Sequence, residues 1–292
     1  MSAQKAQRPR VGPGRIGAQR RSEIPPAVLA ELNAGRLETV NLVEWLAADL
    51  ESVLRASLRA CGAGKLPSDL DAALSRLREA TALARIAAAG EALARAFPAG
   101  DRSQKVLALL SEHTSDLTRS CAAYALQQGE ELRLEERLRR VRRFAADRNM
   151  SVRECAWACV RPAYARDLPR ALVLLGPWIA DGDPTIRRFA VEGTRPRGVW
   201  CSHLEELKVN PGLGAHLLEP LRSDGSDYVR RSVGNWLNDA AKSQPVWVRS
   251  LCARWARESR TPETAWITKH ALRTLEKGST KPLTRGQRSK RA

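Results

Sequence analysis

The residues with the most chemical capacity are two carboxylates set among arginines. Asp183-Pro184-Thr185-Ile186-Arg187-Arg188 and Ser226-Asp227-Tyr228-Val229-Arg230-Arg231 are two versions of one pattern. Each opens a short helix, and each helix carries an acid deeper in: Glu192 in the first, Asp239 in the second. A carboxylate among cations stays ionised and can stabilise positive charge developing on a substrate, or orient and deprotonate a water. The same residues on a solvated helix make ordinary ion pairs one turn apart. Both readings stand at this point. Other chemistries lack their parts. His113, His203, His216 and His270 form no catalytic grouping, and no Gly-rich phosphate loop or Ser-His-Asp set is present. Cys155 and Cys159 lie one helical turn apart, but no His or second Cys pair stands at ligand spacing. No metal and no cofactor is expected, and the six cysteines read as small core residues of a reduced cytosolic protein.

The elements that must position these acids are helices. Ala, Leu and Arg dominate the 292 residues, aromatics are only 5%, and no stretch alternates at period two. That composition favours helix over strand. Pro25-Pro26 starts a helix that Asn33-Ala34-Gly35 ends, and Asn41 N-caps a helix carrying Leu42, Trp45, Leu46 and Leu50. Leu70, Leu74 and Leu77 form the inward face of the next, and the pattern from Arg85 to Ala96 breaks at Pro98-Ala99-Gly100. From about Asp101 the chain repeats. Thr118-Arg119, Val152-Arg153, Ile186-Arg187, Val229-Arg230 and, more weakly, Thr268-Lys269 start successive second helices, roughly 34, 34, 43 and 39 residues apart. Such separations belong to helical-pair repeats. Val160-Arg161-Pro162 and Thr194-Arg195-Pro196 share a register, and proline is expected to stop both helices there.

Stacked pairs make an all-α solenoid whose second helices line a concave face. Val229, Val233, Trp236 and Ala240 fall on one side of their helix, and Arg231, Asn235, Asn238 and Lys242 on another. Ile186, Phe189, Ala190 and Gly193 oppose Arg188, Glu192 and Arg195 in the same way, and Trp236, Trp247 and Trp255 are assigned to the core. The polar faces then align Arg119, Arg153, Arg161, Arg188, Arg195, Arg231, Lys269 and Arg273 into a basic stripe suited to a duplex backbone. The net charge of +17 points the same way, toward a polyanion. No apolar run approaches the ~20 residues of a membrane span.

Two blocks carry a family resemblance. Phe189-Ala190-Val191-Glu192-Gly193-Thr194-Arg195-Pro196-Arg197, followed by Trp200, resembles the R-x-x-x-E-G-x-R-P-R…W block of the AlkC branch of HEAT-like DNA alkylation-repair glycosylases. Tyr228-Val229-Arg230-Arg231-Ser232-Val233-Gly234-Asn235-Trp236-Leu237-Asn238-Asp239 is similar to that branch's V-R-R-S-V-x-N-x-L-N-D block, and His270-Ala271-Leu272-Arg273-Thr274-Leu275 fits its last repeat. The resemblance implies a right-handed superhelix of HEAT-like repeats that hydrolyses the N-glycosidic bond of alkylated, cationic purines such as N3-methyladenine. It works on double-stranded DNA, with the base left in the helix. By match to the motif, Glu192 and Asp239 are the catalytic acids and Trp200 packs on the nucleotide. Arg188, Arg195, Arg197 and Arg231 hold phosphates, joined on the polar stripe by Arg153, Arg161, Asn235, Asn238 and Arg273.

This chain departs from the family pattern at one position. Where relatives have Glu before the first V-R-P segment, it has Trp157 in Trp157-Ala158-Cys159-Val160-Arg161-Pro162. Glu154, one turn earlier, is the candidate substitute, and Trp157 either meets the lesion by stacking or is buried. Residues 1–22 and 279–292, rich in Lys and Arg, are expected to be disordered basic tails flanking one repeat domain over 23–278. The expected protein is a monomer of the bacterial cytosol that binds DNA and no membrane. Two other readings fit the same sequence: a HEAT-repeat DNA-binding protein that has lost catalysis, and an adaptor for acidic protein segments, which the charge alone supports.

Overall fold

The computed structural model describes residues 14–63, 68–76, 81–98, 100–129, 131–198 and 201–279, and every regular element among them is helical. The chain divides into two compact units, Met1–Arg166 and Asp167–Ala292.

The first unit contains α1 (Pro26–Asn33), α2 (Leu42–Ala47), α3 (Leu50–Ala60), α4 (Ser68–Ser75), α5 (Ala82–Ala96), α6 (Asp101–Ser111), α7 (Asp116–Ala125), α8 (Leu134–Ala145) and α9 (Met150–Arg166). Gly35, at φ 68°, closes α1, a conformation that would strain any residue with a Cβ. Asn41 caps α2 as expected, accepting from the Glu44 amide at 3.0 Å. The helix expected to run on to Leu50 instead breaks at Ala48, whose ψ is 139°, and restarts as α3. That break leaves Leu42 and Leu46 exposed while Trp45 and Leu50 stay buried. Leu77 lies outside the described residues. Of the expected N-terminal arm, residues 1–13 also lie outside them, whereas Arg15 is buried in an ion pair with Glu44 and donates to Glu38 O at 2.7 Å. Beyond Ser279 the expected C-terminal tail is likewise undescribed.

Pro162 does not stop its helix. It sits inside α9, which continues because Ala163 and Tyr164 after it are buried, so packing offsets the lost backbone bond. At Pro196 the expectation holds, since α11 closes at Gly193. The second unit contains α10 (Leu168–Leu175), α11 (Pro184–Gly193), α12 (Glu205–Val209), α13 (Ala215–Leu218), α14 (Asp227–Ala241), α15 (Pro245–Glu258) and α16 (Pro262–Ser279). Here α14 is central, packing on α11, α15 and α16. Trp236 and Trp255 are fully buried and Trp247 half-buried. Cys121, Cys155, Cys159 and Cys252 are buried free thiols, and burial pushes Cys155 to about 12 and Cys252 to about 11.

The arginines that mark the repeat are fold devices. Arg119, Arg153, Arg187 and Arg230 each turn Nη1 back onto the two carbonyls five and six residues earlier, in the turn preceding their own helix. Asp147, Asp181 and Asp224 occupy those turns, and each accepts at 2.8 Å from the amide two residues on. Arg119 then forks onto Asp147 at 2.7 and 2.9 Å, and Arg187 onto Asp224 at 2.8 and 3.0 Å. One guanidinium thus satisfies its own turn's carbonyls and locks the carboxylate of the next turn, a planar geometry lysine cannot supply.

Candidate active site

Glu192 lies in the last turn of α11, two residues before the backbone leaves the helix. Its neighbour Arg195 stands just past that end, so its side chain is free of the helical i,i+4 geometry and can reach across to α14. It does so. Arg195 Nη1 donates to Glu192 Oε1 at 2.6 Å, and Nε donates to Asp239 Oδ2 at 2.9 Å. One guanidinium therefore bridges the two acids singled out in the sequence. On α14, Ser232 sits two turns before Asp239 and donates its hydroxyl to Glu192 Oε2. Arg188, one turn before Glu192, approaches that oxygen at 3.6 Å and lies over the Tyr228 ring, 4.3 Å from its centroid. Lys242 reaches Asp239 Oδ1 at 3.3 Å.

Both acids are at the floor of this arrangement, each with 5% of its side chain exposed, while Lys242 at 44% stands at the rim. Burial pushes the Glu192 carboxyl up. The charges of Arg188 and Arg195, with the Ser232 and Arg195 hydrogen bonds, outweigh it and hold the group below its ordinary value. Burial lowers Arg195, and the charges of Glu192 and Asp239 more than restore it, leaving it above its ordinary value. Three cations (Arg188, Arg195, Lys242) thus surround two carboxylates. Such a set keeps Glu192 ionised and fixes the place of both carboxyl groups. Among the described residues, no group of three or more His, Cys, Asp or Glu could hold a metal.

The other residues singled out are dispersed. Arg231 is 65% exposed and pairs with Asp227 at 2.6 Å. Half-buried Asn235 accepts from Arg273 at 2.9 Å and from His270 at 3.0 Å. Asn238 points inward, donating to Ala271 O and accepting from Thr274, so it ties α14 to α16. Arg197 donates to Ser243 at 2.6 Å. In the first unit Arg161 is only 2% exposed, and Arg119 is only 3% exposed, in the ion pairs above; neither offers its guanidinium to a phosphate on the surface. Arg153 turns back onto Asp147 O and Arg148 O. Trp157 is buried and donates Nε1–H to half-buried Glu154 at 3.0 Å, so its ring is not a stacking surface. Trp200 lies outside the described residues. Sequence reasoning passed over Ser232, Tyr228 and His270 as site residues. Ser232 stands at the position seven before Asp239, two turns on the same face, which was the available signal.

Fold and site together define an all-helical repeat protein with two buried acids bridged by one guanidinium between neighbouring repeats. Its sequence matches the family model described as DNA alkylation repair enzyme over residues 82–275, more than half of the chain, and the chain belongs to that family. It is similar to the alkylpurine DNA glycosylase AlkC of Pseudomonas fluorescens, solved bound to DNA containing an abasic site analog. The identity is 28% and the TM-score 0.63, over 79% of this chain and 63% of that one. AlkD2 from Streptococcus mutans shares the fold at 20% identity and TM-score 0.51, over 75% of this chain and 97% of its own. An uncharacterized protein of Bacillus subtilis (strain 168), YhaZ, is 40% identical over 118 residues, which is 40% of this chain and 32% of YhaZ. The chain thus spans less than two thirds of AlkC and about a third of YhaZ. The family that the Glu192 and Asp239 blocks resemble is the family found.

Proposed function

We propose that this protein is a DNA glycosylase that releases alkylated, cationic purines from duplex DNA. The observation that carries the reading is the Arg195 bridge, which holds the Glu192 and Asp239 carboxyl groups side by side. In the reaction the C1′–N bond breaks, its electron pair leaves with the base and neutralises it, and water oxygen bonds to C1′ and gives up a proton to bulk solvent. A cationic base needs no proton to leave, so no general acid is required. The barrier lies in the positive charge that grows on the sugar, and a carboxylate beside it lowers that barrier electrostatically. The depressed pKa of Glu192 suits this role, because a weak proton acceptor contributes charge rather than base strength. The exposed cations Lys242 and Arg231 would meet phosphates. With Trp157 buried at the position of the family's Glu, the chemistry rests on Glu192 and Asp239.

The test is release of methylated purines from a methylated duplex by the full chain. Release supports the glycosylase. No release, with duplex binding that weakens steeply with salt, would favour a DNA-binding protein without catalysis, a reading that the buried Trp157 also supports.

A further inference from the structure

Beside the carboxylate pair, on the α14–α16 face, lies a second arrangement that the chemistry above does not use. Arg273 is half-buried, yet its hydrogen bonds go to neutral acceptors, the carbonyl of His270 and Oδ1 of Asn235 at 2.9 Å. No described carboxylate lies within ion-pair distance of it, in contrast to Arg119, Arg187 and Arg195. His270 is held on three sides. Its ring stacks on Trp266 with centroids 4.7 Å apart and planes 13° from parallel, and Nε2 donates to Asn235 Oδ1 at 3.0 Å. On the third side is Gly234, where a Cβ would stand 2.7 Å from His270 Cδ2. A glycine that admits the imidazole, a ring that stacks on it and an amide that fixes its tautomer are more than a solvated surface histidine needs.

We propose that Asn235, His270 and Arg273 form a phosphodiester-binding subsite in which His270 takes up a proton as the phosphate arrives. The proposal rests on the reading that duplex DNA is the partner. In the free protein burial lowers His270, and Arg273 on its own helix and Arg231 on α14 lower it further; Asp227 on α14 opposes them, and α15, which also packs on α16, contributes no charge to it. Burial lowers Arg273 as well; the charge of Asp239 opposes this, and the smaller effect of Arg195 adds to it. The Arg273 guanidinium, whose hydrogen bonds go to neutral acceptors, is a cation that an arriving anion would pair with. A phosphate beside it reverses the sign of the field on the imidazole, so the bound pKa exceeds the free one. Binding then takes up a proton and strengthens as the pH falls between the two values, by at most about tenfold per pH unit.

The experiment is calorimetry of an unmodified duplex with the full chain in buffers of differing ionisation enthalpy, repeated for His270→Gln and Arg273→Gln. Glutamine at 270 keeps a donor for Asn235, and circular dichroism with thermal melting confirms that both variants fold. The expected result is proton uptake by the wild type that His270→Gln abolishes, with a salt slope reduced by about one in Arg273→Gln. Binding without uptake, or uptake unchanged in His270→Gln, overturns the subsite and leaves the glycosylase reading standing. Absence of duplex binding at low salt overturns both.

Discussion

Glu192→Gln removes one charge and almost no volume. The amide oxygen can still accept from Arg195 Nη1, which bonds Glu192 Oε1 at 2.6 Å, but the amide nitrogen then faces Ser232 and the Arg188 guanidinium, 3.6 Å from the lost oxygen. The three cations around the pair are left with one carboxylate in place of two. If the Glu192 charge stabilises the sugar in the transition state, base release falls by about 10²–10³. The cost in stability is about 1–3 kcal/mol, less than for a fully orphaned buried charge, because Arg195 keeps Asp239 at 2.9 Å. The pH dependence has a fixed sign. The folded pKa of Glu192 lies below its ordinary value. Its stabilising contribution is therefore complete above the unfolded-state value and disappears as the pH falls through the folded one. The stability gap between wild type and variant should close on acidification. Single-turnover base release at neutral pH, with urea unfolding at neutral and acidic pH, measures both effects. Release reduced by less than about tenfold would refute the electrostatic role. A gap that widened in acid would refute the ion-pair account of the site.

Three further substitutions test the scaffold. Arg187→Ala removes the fork onto Asp224 and two carbonyl bonds, and urea unfolding should show a loss of about 2–4 kcal/mol. Arg231→Ala, which loses an exposed pair, should cost less than about 1 kcal/mol in the same measurement. Gly234→Ala places a methyl 2.7 Å from His270 Cδ2 and should lower thermal stability by about 1–3 kcal/mol.

What the sequence shows and what it hides follow from the reach of a side chain. Backbone period and turn residues act locally, so the helices, the cap at Asn41 and the repeat register at Arg119, Arg153, Arg187 and Arg230 are all legible. The stripe expectation assumed that an arginine on a polar helix position faces solvent. In Arg119 and Arg153 the long side chain instead turns back and finds the carbonyls of the preceding turn first. The clue was present in Asp147-x5-Arg153, Asp181-x5-Arg187 and Asp224-x5-Arg230, a spacing that pairs each arginine with a turn-forming aspartate. The acids behave differently. Aligning the repeats sets Glu192 level with Asn235 and Asp239 one turn beyond, which argues against a symmetric ion-pair ladder. The contact partner of Glu192 on α14 is Ser232, and Arg195, outside any helix, spans the offset to Asp239. A residue just past a helix end has no fixed direction in a periodicity argument. For that reason the two acids could be named from sequence, while the group that joins them could be found only in three dimensions.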